Sequence, residues 1–129
     1  MTHMDISEPN KQAAVEFLQL VVSGRIDEAY KRHVDMGGTH HNPFFRSGFS
    51  ALRQAMIEDQ VRSPTKQLLV NHVLSDGEMV AVHSHLILRA GEADMTVVHL
   101  FRFHDSRIVE MWDCGQPLPA DSPNEDGAF

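Results

Sequence analysis

The spacing of apolar residues changes once along this chain, from every third or fourth residue in its first half to every second residue beyond about residue 66. Those two periods belong to helix and strand, so helices come first and sheet after, an order that few folds accommodate. Residues 8–23 carry Ala14, Phe17, Leu18, Val21 and Val22 on one helical face, with Ser7 as the expected N-cap, Pro9 in the first turn and Gly24 as the stop. Ile26, Ala29, Tyr30, His33 and Val34 repeat the pattern and predict a second helix over 26–35, ended by Gly37-Gly38. Thr39 to Pro43 then reads as a short extended piece, because the residue before a proline is pushed out of helical geometry. A third helix is predicted at about 50–60, capped by Ser50 and burying Leu52 and Met56, before Ser63-Pro64-Thr65 breaks the chain.

Beyond that break, the segments 67–74, 79–89, 94–103 and 107–114 are rich in Val, Leu, Ile and Phe. Asp76-Gly77, Ala90-Gly91 and Asp105-Ser106 separate them, which predicts four antiparallel strands. Residues 115–129 hold Pro117, Pro119 and Pro123 and read as an irregular, mobile tail; residues 1–7 are expected to be flexible. No repeat or linker marks a second domain, so 1–129 is read as one α+β domain with a pocket between helices and sheet.

Composition narrows the function. At 129 residues, 42% hydrophobic and 22% charged, the chain can bury roughly two-thirds of its unfolded surface and needs no disulfide or metal to hold a core. Its one cysteine, Cys114, points to a reducing, cytoplasmic setting. Lys and Arg number 11 against 18 Asp and Glu, a net charge of −7 with no basic cluster, which argues against nucleic acid as a partner. Neither an export signal nor a membrane-spanning run is expected.

Nine histidines stand out, each a potential acid/base group or ligand. His83 and His85 share one strand face, as do His99, Phe101 and Phe103, and likewise Val109, Met111 and Asp113; alternation alone leaves open which face is inner. His-x-His on a strand is one way to present two imidazoles to a metal, but the residue four beyond His85 is Arg89, and Glu92 falls at the Gly91 turn. A metal site is therefore the lesser expectation; it would use His83, His85 and either His99 or His41. His33 is read as structural at a helix C-terminus, His3 and His104 as solvated, and His72 as facing core or pocket. Cys114 lacks a cationic partner in its own segment and is not a candidate nucleophile, while Met56, Met79 and Met95 are read as core filling.

His41-Asn42-Pro43, the pair His83 and His85, Phe101-Arg102, the run Ile108 to Asp113 and Gln116-Pro117 come in an order that resembles the SnoaL-like polyketide cyclases of the nuclear transport factor 2-like superfamily. Asn124, Gly127 and Phe129 are similar to that family's ending. The resemblance spans residues 10 to 129 and implies a cone-shaped, curved antiparallel sheet wrapped around three N-terminal helices. It also implies homodimerisation through outer sheet faces, with Val80, Val82 and Leu86 expected to be exposed there.

The same resemblance implies intramolecular aldol chemistry without a cofactor on an apolar, carbonyl-bearing small molecule. It maps Asp113 as the acid/base residue and His99 as the group that orients substrate or polarises its carbonyl. Burial would raise the pKa of Asp113 and a protonated His99 would lower it, so the two would titrate together. His83, His85, His99, Met111 and Asp113 are placed on the concave side, with Phe17, Phe101 and Phe103 as further walls and His41 and Asn42 at the mouth. A one-residue change in the Asp105-Ser106 hairpin would instead bring Trp112 and Glu110 inward.

Plainer readings stand beside these. Asp113 could cap a strand or pair with an arginine, His99 could be a core histidine with both ring nitrogens satisfied, and Asn42-Pro43 could be an ordinary turn starter. The strand Val97 to Phe103 also resembles the one that carries the oxyanion-binding aspartate of ketosteroid isomerases. That enzyme's remaining positions would fall at Phe17, where it needs a tyrosine, and Asn42, where it needs a carboxylate, which argues against isomerase activity. The second reading of the whole domain is a non-catalytic binding module, since fold does not fix function.

Overall fold

The first helix, α1 (Ser7–Val22), buries Ala14, Phe17, Leu18 and Val21 along one stripe, as its spacing requires. The computed structural model describes residues 5–129, so His3 and residues 1–4 of the predicted flexible start lie outside the described residues. Ser7 is the first helical residue rather than the cap, and Asp5 Oδ1 accepts from its backbone N–H and its hydroxyl. α2 (Ile26–His33) is shorter than predicted, because Val34 is already extended at φ −113° and ψ 134°. His33 ties it to α1 by bonding Glu16 Oε1 at 2.9 Å.

The sheet has a fifth strand in addition to the four predicted. Val34–His40 forms this strand, β1, and Gly37-Gly38 lies inside it rather than merely ending a helix. β1 pairs in parallel with the last strand, and three extra residues bulge from it between Val34 and Thr39. Gly38 is needed there because a Cβ at that position would collide with the carbonyl of Val109 and the ring of Phe49. The third helix, α3 (Phe49–Arg62), is capped by Gly48 at φ 93°, not by Ser50. The remaining strands are β2 (Gln67–Asp76), β3 (Met79–Ile87), β4 (Met95–His104) and β5 (Arg107–Pro117). Together the strands form one curved sheet in the order β1-β5-β4-β3-β2. Asp105 (φ 48°) and Ser106 (φ 66°) make the two-residue turn between β4 and β5, a pair of left-handed conformations that matches the twist of the strands.

The core fills the helix-facing side of the sheet. Phe17, Phe49, Phe101, Phe103, Ile108, Val80 and Val82 are fully buried, and Phe17 meets Tyr30 and Phe101 edge-on at 5.3 and 5.9 Å. Val80 and Val82 therefore are not the exposed residues expected on a dimer face, and Leu86 also packs against this core. Two bulges set the strand faces. In β5 an extra residue between the partners of Arg102 and Phe103 lets Ile108, Met111 and Asp113 all face inward. In β2 a bulge between Val70 and His72 turns His72 outward, opposite His83. The tail is irregular beyond Pro117, yet it returns to the outer sheet face, where Phe129 stacks on His85 with ring centroids 4.3 Å apart. Among the described residues no helix is long and apolar enough to cross a membrane.

Candidate functional site

A cavity of about 200 Å³ opens between α1, α3 and the inner sheet face, too large for one or two waters and suited to a small organic ligand. Leu18, Val21, Leu52, Met56, Leu68 and Leu86 make its walls largely apolar. His99, Asp113 and Asn42 supply polar groups at one end. The register explains the meeting of the first two: His99 of β4 lies directly opposite Asp113 of β5, and residues opposite one another share a face.

Asn42 arrives from the loop after β1 and donates from Nδ2 to Asp113 Oδ2 at 2.9 Å. Its amide orientation is fixed by its other bond, since Oδ1 accepts the Phe44 N–H at 3.0 Å. The loop is held in turn by His40, a buried histidine that sequence reasoning did not single out. His40 Nε2 donates to the Arg46 carbonyl at 2.6 Å, while Nδ1 accepts the Asn42 N–H at 3.1 Å. Both ring nitrogens are thereby committed, with the proton on Nε2. The one hint in the chain was the place of His40 directly before the His41-Asn42-Pro43 motif.

His99 is held differently. Its ring stacks on Phe101 with centroids 6.1 Å apart, and Nδ1 is buried with no hydrogen-bond partner among the described residues. His99 is thus not a core histidine with both nitrogens satisfied. Burial holds the imidazole below its ordinary pKa, and the nearby charge of Asp113 opposes that shift only in part, so the neutral form prevails at neutral pH.

Of the residues predicted for the site, Asn42, His99 and Asp113 come together and the others do not. Phe17, Phe101 and Met111 lie in the closed core beneath the cavity, as does Phe103. His83 and His85 point to the outer face, because Val82 and Ser84 alternate with them and are fully buried. There His83 Nε2 meets Thr96 Oγ1 at 2.9 Å, its Nδ1 meets His72 Nδ1 at 2.9 Å, and His85 Nε2 meets Asp94 Oδ2 at 2.8 Å. The two histidines serve different partners, and no group of three or more His, Cys, Asp or Glu among the described residues is arranged to hold a metal. Trp112 also faces outward, stacked on His41 at 5.0 Å. His41 bonds Glu110 Oε2 at 2.6 Å and Arg102 donates to the other oxygen, which together hold that carboxyl below the usual range. Lys66, Asp59 and Arg62 line the cavity without having been anticipated, since the Ser63-Pro64-Thr65 segment signalled only a break.

The sequence profile of the SnoaL-like domain matches residues 14–111. No curated protein matches the chain. Among solved structures, a protein of Jannaschia sp. CCS1 proposed to be a SnoaL-like polyketide cyclase is similar, with TM-score 0.72, 16% identity, and 89% of this chain and 90% of that one covered. A protein of Kribbella flavida proposed to be a ketosteroid isomerase superposes with TM-score 0.73 at 18% identity, covering 96% and 90%. Bal32a, from a soil-derived mobile gene cassette, gives 0.73 at 19%, covering 86% and 92%. At such identities these likenesses speak for the fold, which is that of the nuclear transport factor 2-like proteins. The profile match extends over more than half of the chain, and the chain belongs to the SnoaL-like domain family.

Proposed function

We propose that this protein is a cofactor-free enzyme that closes a ring by aldol-type acid/base chemistry on an apolar, carbonyl-bearing small molecule. The observation that carries the reading is the pairing of His99 with Asp113 at one end of an otherwise apolar cavity. Asn42 occupies Asp113 Oδ2, which leaves Oδ1 to work on a ligand. Oδ1 takes the proton from a carbon next to a carbonyl, and the resulting enolate oxygen is stabilised by a hydrogen bond from neutral His99. The enolate carbon then attacks a second carbonyl of the same molecule, and the new alkoxide recovers the proton from Asp113. One carbon–carbon bond forms, and the proton count is unchanged.

An Asp113→Asn variant tests this with poly-β-ketone esters as probes. Turnover to cyclised product should fall by at least about 100-fold, the usual scale of general acid/base catalysis, while affinity for the probes stays within a few-fold. Equal turnover by the variant would refute the assignment. Binding without turnover in the unmodified protein would make the domain a binding module instead.

A further inference from the structure

The cavity has a second polar end that the proposed chemistry does not use. Lys66, next to the first residue of β2, lines it with a side chain only 7% exposed. Its Nζ sits 2.5 Å from Asp59 Oδ2, and Arg62 approaches the other oxygen of the same carboxylate at 3.6 Å. Two cations thus share one acid, leaving one positive charge at the edge of an apolar space. An ammonium carries three donors, and Asp59 takes one. The other two find no acceptor among the described side chains and backbone groups, although the lysine side chain as a whole is more than nine-tenths buried and unpaired donors in such surroundings are costly. Arg89, whose guanidinium donates to the Arg62 carbonyl, is already paired with Glu92.

The register measures how far this end lies from the catalytic one. His99 is opposite Val82 of β3, whereas Leu86, four residues further along, is opposite Leu68, two residues from Lys66. Four residues of strand span about 13 Å along the sheet, and β4 and β2 are two strand spacings, about 10 Å, apart across it. Leu68, Leu86 and Leu88 line the stretch between.

We propose that Lys66 and Arg62 form a carboxylate-binding subsite, so that the ligand is an amphipathic acid with its carboxylate at Lys66 and its reacting carbonyls near His99 and Asp113. A carboxylate of charge −1 matches the one uncompensated positive charge and supplies acceptors for the idle Nζ donors. The inference rests on the cavity being the ligand site of the proposed function, but not on catalysis occurring there.

Titration calorimetry of the full chain with decanoate and decanamide tests it. The acid should bind about ten-fold or more tightly than the amide of equal length. Lys66→Met should abolish that preference while keeping amide binding, and Lys66→Arg should restore most of it. Should Lys66→Met fail to fold, Arg62→Gln, on an exposed side chain, should reduce the preference by a few-fold. Equal affinity of the unmodified protein for acid and amide, or an undiminished preference in Lys66→Met, would overturn the subsite and leave the acid/base reading intact. Binding of neither probe would overturn the subsite and the cavity as ligand site together.

Discussion

Neutral His99 is the feature of the site whose energetic consequence is most directly measurable. Burial lowers its pKa in the folded chain, and the charge of Asp113 offsets this only partly. Above about pH 7.5 the imidazole is neutral in both folded and unfolded states and contributes nothing to pH dependence. As pH falls through the unfolded value of about 6.5, the unfolded chain takes up a proton that the folded chain refuses, so stability is lost progressively until the lower folded pKa is reached. The limiting slope is about 1.4 kcal/mol per pH unit, and one unit below the unfolded value the loss from this group is at most about 1.4 kcal/mol. Urea denaturation of the unmodified protein and of His99→Phe at pH 8, 6.5 and 5.5 isolates this contribution, because the other histidines titrate in both. The unmodified protein should lose up to that much more stability than the variant between pH 8 and 5.5, with the variant's curve the flatter. Parallel curves would refute burial as the control on His99, and with it the neutral hydrogen-bond donor that the mechanism requires.

The packing makes three further outcomes measurable. Phe101→Ala removes a fully buried ring that supports both Phe17 and His99, and should cost about 3–5 kcal/mol in urea denaturation. His40→Ala releases the Arg46 carbonyl and the Asn42 N–H, so kcat should fall about ten-fold as Asn42 loses its hold on Asp113, and His40→Gln should recover part of it. His83→Ala, on the outer face, should leave probe binding and turnover unchanged and shift stability by no more than about 1 kcal/mol; a loss of binding would contradict the face assignment of β3.

Where sequence and structure part, the physical cause is shared. Alternation correctly grouped His83 with His85 and Met111 with Asp113, but sorting groups into inner and outer requires the register between strands, and three bulges shift that register. Val34 continues the helical stripe of α2 on paper, yet parallel pairing with Ile108 draws it into a strand. Phe17, Phe101 and Met111 look the same in the chain whether they line a cavity or seal a core; packing against Tyr30 and Val80 made them core. Lys66 gave no local signal, because its burial comes from the cavity it lines and from its pairing with Asp59 of α3.

The order of helix and strand periods, the hairpin turns and the motif series ending at Asp113 were enough to determine the α+β class and the family, because periodicity and turn chemistry act over a few neighbouring residues. Tertiary structure alone decided that His99, Asp113 and Asn42 share one cavity, that the His83 and His85 pair is excluded from it, and that His40 and Lys66 support its two ends. Those outcomes depend on strand register, bulges and burial, which arise only when segments tens of residues apart pack together.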